Sequence, residues 1–196
     1  MGNAGKGLWP RFLASPESRL RRDPLDRYTA RVFADALRRT ERPSGYALYQ
    51  EKRDACYLPL VALARAAGFG SPGRVGVLLH PVYGPWISIR GVVFLPTPVG
   101  AVEERPRDLC SGCPAPCETA CHGRAIGPAG VDVETCFRTK ILKHPCRAAC
   151  DARSACVIGP EHAFPPEQIA HHSRIRWRPA TAQRAAKVLL RQVFPA

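Results

Sequence analysis

Eight cysteines stand in one ordered run between Leu109 and Val157: Cys110, Cys113, Cys117 and Cys121, then Cys136, Cys146, Cys150 and Cys156. Thiolate sulfur is a soft donor that suits iron and zinc, and short spacings let one backbone loop wrap several corners of a metal centre. A 4Fe-4S cube takes four thiolates, so eight cysteines are the complement of two cubes. Two other readings stay open: one cube beside a residual set of thiols, and a structural zinc site. Zinc sites built from four cysteines usually show two well-separated pairs, whereas Cys110 to Cys121 places four cysteines within twelve residues, which is crowded for one tetrahedron. The ninth cysteine, Cys56, stands alone in an apolar stretch and reads as a small buried hydrophobe.

The run Cys110-x2-Cys113-x3-Cys117-x3-Cys121, followed by His122-Gly123-Arg124-Ala125-Ile126, resembles the first cysteine run of bacterial ferredoxins and the Pro-x-x-Ala-Ile that trails it. Asp132-Val133-Glu134-Thr135-Cys136 resembles the entry to their second half. In two-cluster ferredoxins the fourth cysteine of a run ligates the other cluster. The resemblance therefore implies one cube on Cys110, Cys113, Cys117 and Cys156, and another on Cys136, Cys146, Cys150 and Cys121. The chain departs from the pattern in three ways. Two gaps, Cys113 to Cys117 and Cys146 to Cys150, hold three residues where ferredoxins have two, Cys150 to Cys156 spans five where they have three, and His122 and Val157 stand where proline is usual. Arg124, Arg138, Lys140, Lys143 and Arg147 are placed to stabilise a reduced, more negative cluster. His144 is an alternative ligand or a surface histidine, and His162, His171 and His172 raise a weaker metal hypothesis.

The elements that must position these residues point to an α+β architecture. An N-terminal helix and β-hairpin layer leads into a ferredoxin-like two-cluster module closed by a C-terminal helix. Residues 1–22 are rich in Arg, Pro and Gly without sustained periodicity and are expected to form a flexible arm. Asp23-Pro24 reads as a helix start, with Leu25, Tyr28, Val32, Ala36 and Leu37 as one apolar face and a stop before Pro43. A second helix is expected from Tyr57 to Ala67, ended by Gly68. Val75 to Leu79 and Trp86 to Leu95 read as two strands paired across the turn His80–Pro85. The layer spans 23–98, the metal module 99–165, and a basic segment with a final helix 166–196. In that helix, Thr181 to Phe194, the expected buried face is Ala182, Ala185, Leu189 and Val193.

The net charge is +13 over 196 residues. It fits an acidic redox partner or nucleic acid, and equally solubility and compensation of anionic clusters. No stretch approaches the roughly 20 apolar residues of a membrane span, so the expectation is a cytoplasmic protein without a membrane partner. In that reducing compartment cysteine runs bind metal more often than they form disulfides.

A second resemblance joins both halves. Ala64-Arg65-Ala66-Ala67-Gly68-Phe69-Gly70-Ser71-Pro72-Gly73-Arg74, then Leu78-Leu79-His80-Pro81 and Gly84-Pro85-Trp86, resembles the Ala-Gly-Leu-Gly-x-x-Gly-Lys segment and following glycine-tryptophan strand of epoxyqueuosine reductases, relatives of the corrinoid reductive dehalogenases. It covers residues 44–160, with the cysteine module following in the same order. The resemblance implies a redox function, cobalamin as a further cofactor, a tRNA or small reducible substrate, and a catalytic aspartate upstream of the glycines. Counted back without gaps, that position is Asp54, which equally suits an ordinary helix-start carboxylate. Gly68, Gly70 and Gly73 are the implied cofactor-binding positions, with turn geometry as the competing explanation. The stretch before Asp54 is shorter than in those enzymes, so the layer reads as part of a corrinoid domain. Three functions follow: an iron-sulfur electron carrier serving a redox partner protein, a cobalamin-dependent reductase, and a zinc-stabilised binding module.

Overall fold

The computed structural model describes residues 2–39, 45–49, 52–53, 56–96, 108–142, 145–175 and 179–193. Among them short helices alternate with two-stranded antiparallel sheets, a mixed α+β architecture. No described helix is long and apolar enough to cross a membrane.

The N-terminal segment is not a free arm. Strand β1 (Gly2–Ala4) pairs antiparallel with β7 (Ile87–Ile89), Gly2 opposite Ile89 and Ala4 opposite Ile87. Helix α1 (Leu8–Leu13) buries Trp9 and Phe12 against Leu25 and Tyr28. Two buried aromatic rings supply enough apolar area to hold a short segment, which the surrounding Arg, Pro and Gly conceal in the composition.

Helix α2 (Pro24–Arg38) starts at the expected place and stops before Pro43, but turns a partly different face inward. Its buried positions are Leu25, Asp26, Tyr28, Thr29 and Phe33, while Val32 is exposed. Asp23 takes the left-handed conformation (φ 47°), and its carbonyl accepts the Arg27 N–H at 3.0 Å. Phe33 faces Tyr46 of β2 (Gly45–Leu48) at 6.2 Å. The short pair β3 (Lys52–Arg53) and β4 (Cys56–Tyr57) precedes α3 (Leu60–Ala66). The Cys56 side chain lies outside what the structure describes.

The expected hairpin is replaced by three separate pairings. Strand β5 (Ser71–Pro72) pairs with β6 (Leu78–Leu79), β7 with β1, and β8 (Gly91–Phe94) with β2. The reason is local. A Cβ on Gly70 would lie 1.9 Å from the Leu79 carbonyl oxygen, and one on Gly73 2.5 Å from the Leu79 side chain, so these glycines admit β5 against β6 and occupy its pairing edge. The His80–Pro85 turn does form, closed by reciprocal backbone bonds between His80 and Gly84 (2.9 and 2.8 Å).

The cysteine-bearing part comprises α4 (Pro116–Thr119), the hairpin β9 (Ile126–Gly127) and β10 (Gly130–Val131), α5 (Val133–Leu142), α6 (Pro145–Ala148) and α7 (Asp151–Ser154). Helices α8 (Pro166–Ser173) and α9 (Pro179–Val193) close it. In α9 the buried residues are Ala185 and Val188, which pack with Ile141 of α5; Ala182 and Leu189 face solvent, so the apolar stripe is rotated from the expected one.

Candidate metal centres

The cysteines sort by cavity and not by chain order. One cavity is lined by Cys110, Cys113, Cys117 and Cys156, with Arg74, Val75 and Leu79 of the N-terminal layer in its wall. Another is lined by Cys121, Cys136, Cys146 and Cys150, with Ile126, Val131 and Thr139. The last cysteine of each run thus stands in the other run's cavity.

Electrostatics repeats the partition. Burial pushes the Cys117 thiol up, followed by the charges of Cys110, Cys113 and Cys156. Cys156 is raised by burial and then by Cys110 and Cys113, against a lowering backbone hydrogen bond at Ile158. In the second group Cys146 is raised by burial and then by Cys150, Cys121 and Cys136. Cys136 is raised by desolvation, Cys150 and Cys121, and lowered by Lys140; the residue is open to solvent, yet its sulfur is crowded by protein and thiols. Four thiolates gathered this way repel one another unless a cationic core neutralises them. That donor set fits a cluster. Two backbone amides already point at sulfur: Ala115 N–H at Cys113 Sγ (3.4 Å) and Ala125 N–H at Cys121 Sγ (3.3 Å). Such bonds stabilise negative charge on ligated sulfur.

Three of the cysteines, Cys136, Cys121 and Cys156, have an identifiable support. Cys136 sits in the first turn and a half of α5, whose start is capped by Asp132: its Oδ1 accepts the N–H groups of Glu134 (3.0 Å) and Thr135 (3.1 Å), and its Oδ2 accepts the Thr135 hydroxyl (2.6 Å). These bonds, the Thr135 hydroxyl first, hold the Asp132 carboxyl below its ordinary pKa. Gly123, just after Cys121, brings the loop against α5; a Cβ there would meet Thr139 Oγ1 at 2.3 Å. Cys156 is held from the other half of the chain. Gly84 (φ 52°) and Gly159 (φ 62°) let two loops meet backbone to backbone. A Cβ on Gly84 would lie 1.9 Å from the Ile158 carbonyl oxygen, and one on Gly159 2.5 Å from that of Val82. The adjacent pair His162 and Tyr83 stack at 4.7 Å between ring centroids.

Two arginines that sequence reasoning passed over stand near these cysteines, Arg74 in the wall of the first cavity and Arg153 in α7. Arg74 pairs with Glu118 of α4 at 2.5 Å, and its charge is favoured by that bond and by Cys110 and Cys117. Arg153 lies in α7, three residues from Cys150 of one cavity and three from Cys156 of the other. Its guanidinium is 5.0 Å from each of the Trp86 and Phe164 rings and donates to the Pro85 carbonyl. Burial lowers its pKa and the Cys150 thiolate raises it. Its position between Cys150 and Cys156 was its one signal in the sequence.

Of the basic residues expected to act on the clusters, Lys140 lines the second cavity. Arg147 instead bonds the Lys140 carbonyl (3.2 Å) and that of Ile141 at the end of α5. Lys143, His144 and Asp54 lie outside the described residues. Gly68 (φ 74°) follows α3, and its N–H bonds the Arg65 carbonyl at 3.1 Å. At Gly70 and Gly73 the missing Cβ leaves room for Leu79, so turn and strand packing account for these two glycines. His171 and His172 pack on Trp9 (5.3 Å) and Phe164 (5.7 Å). Among the described residues no three His, Cys, Asp or Glu side chains are grouped to hold a single metal ion.

No family model matches the chain, and no curated protein does. Its structural neighbours are two reductive enzymes. Epoxyqueuosine reductase from Bacillus subtilis aligns with 73% of this chain and 42% of its own, at 18% identity and a TM-score of 0.46. A catabolic reductive dehalogenase in complex with 3-bromo-4-hydroxybenzoic acid aligns with 83% of this chain and 24% of its own, at 22% identity and a TM-score of 0.48. The chain therefore spans less than half of the one and about a quarter of the other. These are the enzyme classes that the glycine and cysteine motifs resemble.

Proposed function

We propose that the chain is an iron-sulfur electron-transfer protein with two 4Fe-4S clusters, one on Cys110, Cys113, Cys117 and Cys156, the other on Cys121, Cys136, Cys146 and Cys150. The observation that carries this reading is the exchange of Cys121 and Cys156 between the cavities, which interleaved cluster ligation requires. A single zinc ion wants its four sulfurs at about 2.3 Å from one point. Here each opening is lined by four thiols, the number a cube takes.

When bound, each cluster supplies one-electron chemistry. The chain's own residues set the conditions. Ala115 and Ala125 donate N–H bonds to sulfur, Arg74 and Lys140 bring positive charge to the first and second cavity, and the half-buried Arg153 packs its guanidinium on Trp86 and Phe164 with its charge favoured by Cys150. In this reading the partner is another redox protein that gives or takes single electrons. Corrinoid chemistry is not part of this reading, since the packing of Leu79 already accounts for Gly70 and Gly73.

The test is anaerobic purification with metal and sulfide quantified, followed by an absorption spectrum with and without added cobalamin. About eight iron and eight sulfide per chain are expected, with no spectral change on adding cobalamin. Stoichiometric zinc without sulfide overturns the proposal.

A further inference from the structure

The turn that holds the Cys156 loop is itself tied by one imidazole. Nδ1 of His80 accepts the N–H groups of Val82 (3.1 Å) and Tyr83 (3.3 Å), so the ring is the neutral Nε2–H tautomer, the form that keeps an acceptor nitrogen there. The reciprocal backbone bonds between His80 and Gly84 close the same turn. Its far side meets the metal module: Gly84 abuts the Ile158 carbonyl, Gly159 abuts that of Val82, and Tyr83 stacks on His162 at 4.7 Å. Ile158 lines the cavity of Cys110, Cys113, Cys117 and Cys156. One side-chain nitrogen thus begins a chain of contacts that ends at the last ligand of that cage.

An imidazolium donates from both nitrogens and accepts at neither. On protonation of His80 the two backbone N–H groups lose their acceptor and face a third N–H. The ring is half-buried in a hollow shared with Asn3 of β1, Phe69, and Ile87 of β7, and no charged side chain among the described residues lines it. The titratable groups facing His80 are Tyr83 on its own turn, at 5.0 Å, and behind that ring His162, with Glu161 3.4 Å from it, on the Pro160–His162 turn. We infer that His80 is an acid-sensitive latch: its neutral ring keeps the Cys156 loop docked, and protonation releases that loop and opens the first cage while the cage of Cys121, Cys136, Cys146 and Cys150 stays closed. Burial lowers the His80 pKa, and an unfolded imidazole titrates at about 6.5. Docking is therefore fully held above that value and weakens as pH falls through the lowered folded one. The latch rests on the hydrogen bonds of the turn. Its effect on cluster content rests on the two-cluster reading.

The anaerobically purified protein is taken from about pH 7.5 to about pH 5. Iron, sulfide and electron paramagnetic resonance are followed, with hydrogen exchange of segment 80–86 measured on the same samples and corrected for its intrinsic pH dependence. The expected result is loss of about half the iron, with the first cluster's signal gone and the second's kept, and exchange of the segment at least about fivefold faster. His80→Asn, whose amide oxygen can replace the acceptor without titrating, keeps both clusters and a protected turn at the lower pH. His80→Leu, with no acceptor, loses the first cluster already at about pH 7.5. His162→Gln leaves the acid response in place. Loss of the first cluster from His80→Asn at the wild-type pH overturns the inference, as does its retention in acidified wild type or in His80→Leu, loss of both clusters together, or a response abolished by His162→Gln. Where His80→Leu does not fold, His80→Asn decides. A sample holding zinc in place of iron and sulfide sinks the cluster reading alone; hydrogen exchange then decides the latch, which stands if acid speeds exchange in the wild type but not in His80→Asn and falls otherwise.

Discussion

The two cysteine cages are made from the same ligand type but in different ways. The cage of Cys121, Cys136, Cys146 and Cys150 is nearly local: apart from Val75 its walls come from residues 120–152, and Cys136 and Cys150 are exposed. The cage of Cys110, Cys113, Cys117 and Cys156 takes Arg74, Val75 and Leu79 from the N-terminal layer, and Cys117 is buried. Its last ligand is anchored by contact between Gly84 and Ile158. The contrast teaches that the one cage depends on its own loop and helix, whereas the other reports whether the two halves of the chain have docked.

The crossing of ligands can be broken most sharply by exchanging single cysteines. Cys156→Ala is expected to remove the cluster of the first run, lowering iron per chain by about half. Alkylation mapped by mass spectrometry then marks Cys110, Cys113 and Cys117. Cys121→Ala gives the mirror pattern on Cys136, Cys146 and Cys150. Labelling within the mutated run instead would contradict the interleaving.

Gly84→Ala probes the dependence on docking. The added methyl meets a backbone oxygen at a positive φ, so the loop bearing Cys156 must shift. The expected outcome is loss of the first cluster with retention of the second, read by iron content and electron paramagnetic resonance; loss of both would remove the contrast between the cages. Exposure sharpens it without mutation. A chelator should bleach the cluster of the open cage before that of the buried one, followed by absorbance decay in two phases, and a single phase would argue against the difference.

The smallest effect concerns Asp132. Its folded pKa lies below the ordinary value because hydrogen bonds favour the carboxylate. Its stabilisation is therefore present at neutral pH, above the unfolded carboxylate pKa, and is lost as pH falls through the lowered folded value. Asp132→Asn should flatten that part of the acid limb in a thermal-melt series, and weaken the cage containing Cys136 more than the other.

The grouping of the cysteines was legible in the residues, because donors that share a centre recur at short spacing in a way that packing does not require. Eight thiols in two runs pointed to two centres, and the ferredoxin resemblance supplied the crossing. What could not be read was the set of partners each element would find. Helices α2 and α9 exist where periodicity placed them, yet their buried faces are turned, since Phe33 answers to Tyr46 and Val188 to Ile141. The strands were recognisable from β-branched content, but their partners, Gly2–Ala4 and Gly45–Leu48, lie some forty to ninety residues away, beyond what local pattern encodes. Trp9 and Phe12 were overlooked for a related reason: two buried rings inside a polar segment carry no periodicity of their own.

The meeting of Gly84 with Ile158 bears on how a newly made chain matures. One set of sulfurs can come together as soon as a short stretch of polypeptide has emerged and coiled. The other waits for a reunion of distant parts, so under the two-cluster reading the surface cage is expected to take up its inorganic cargo first and the sheltered one last.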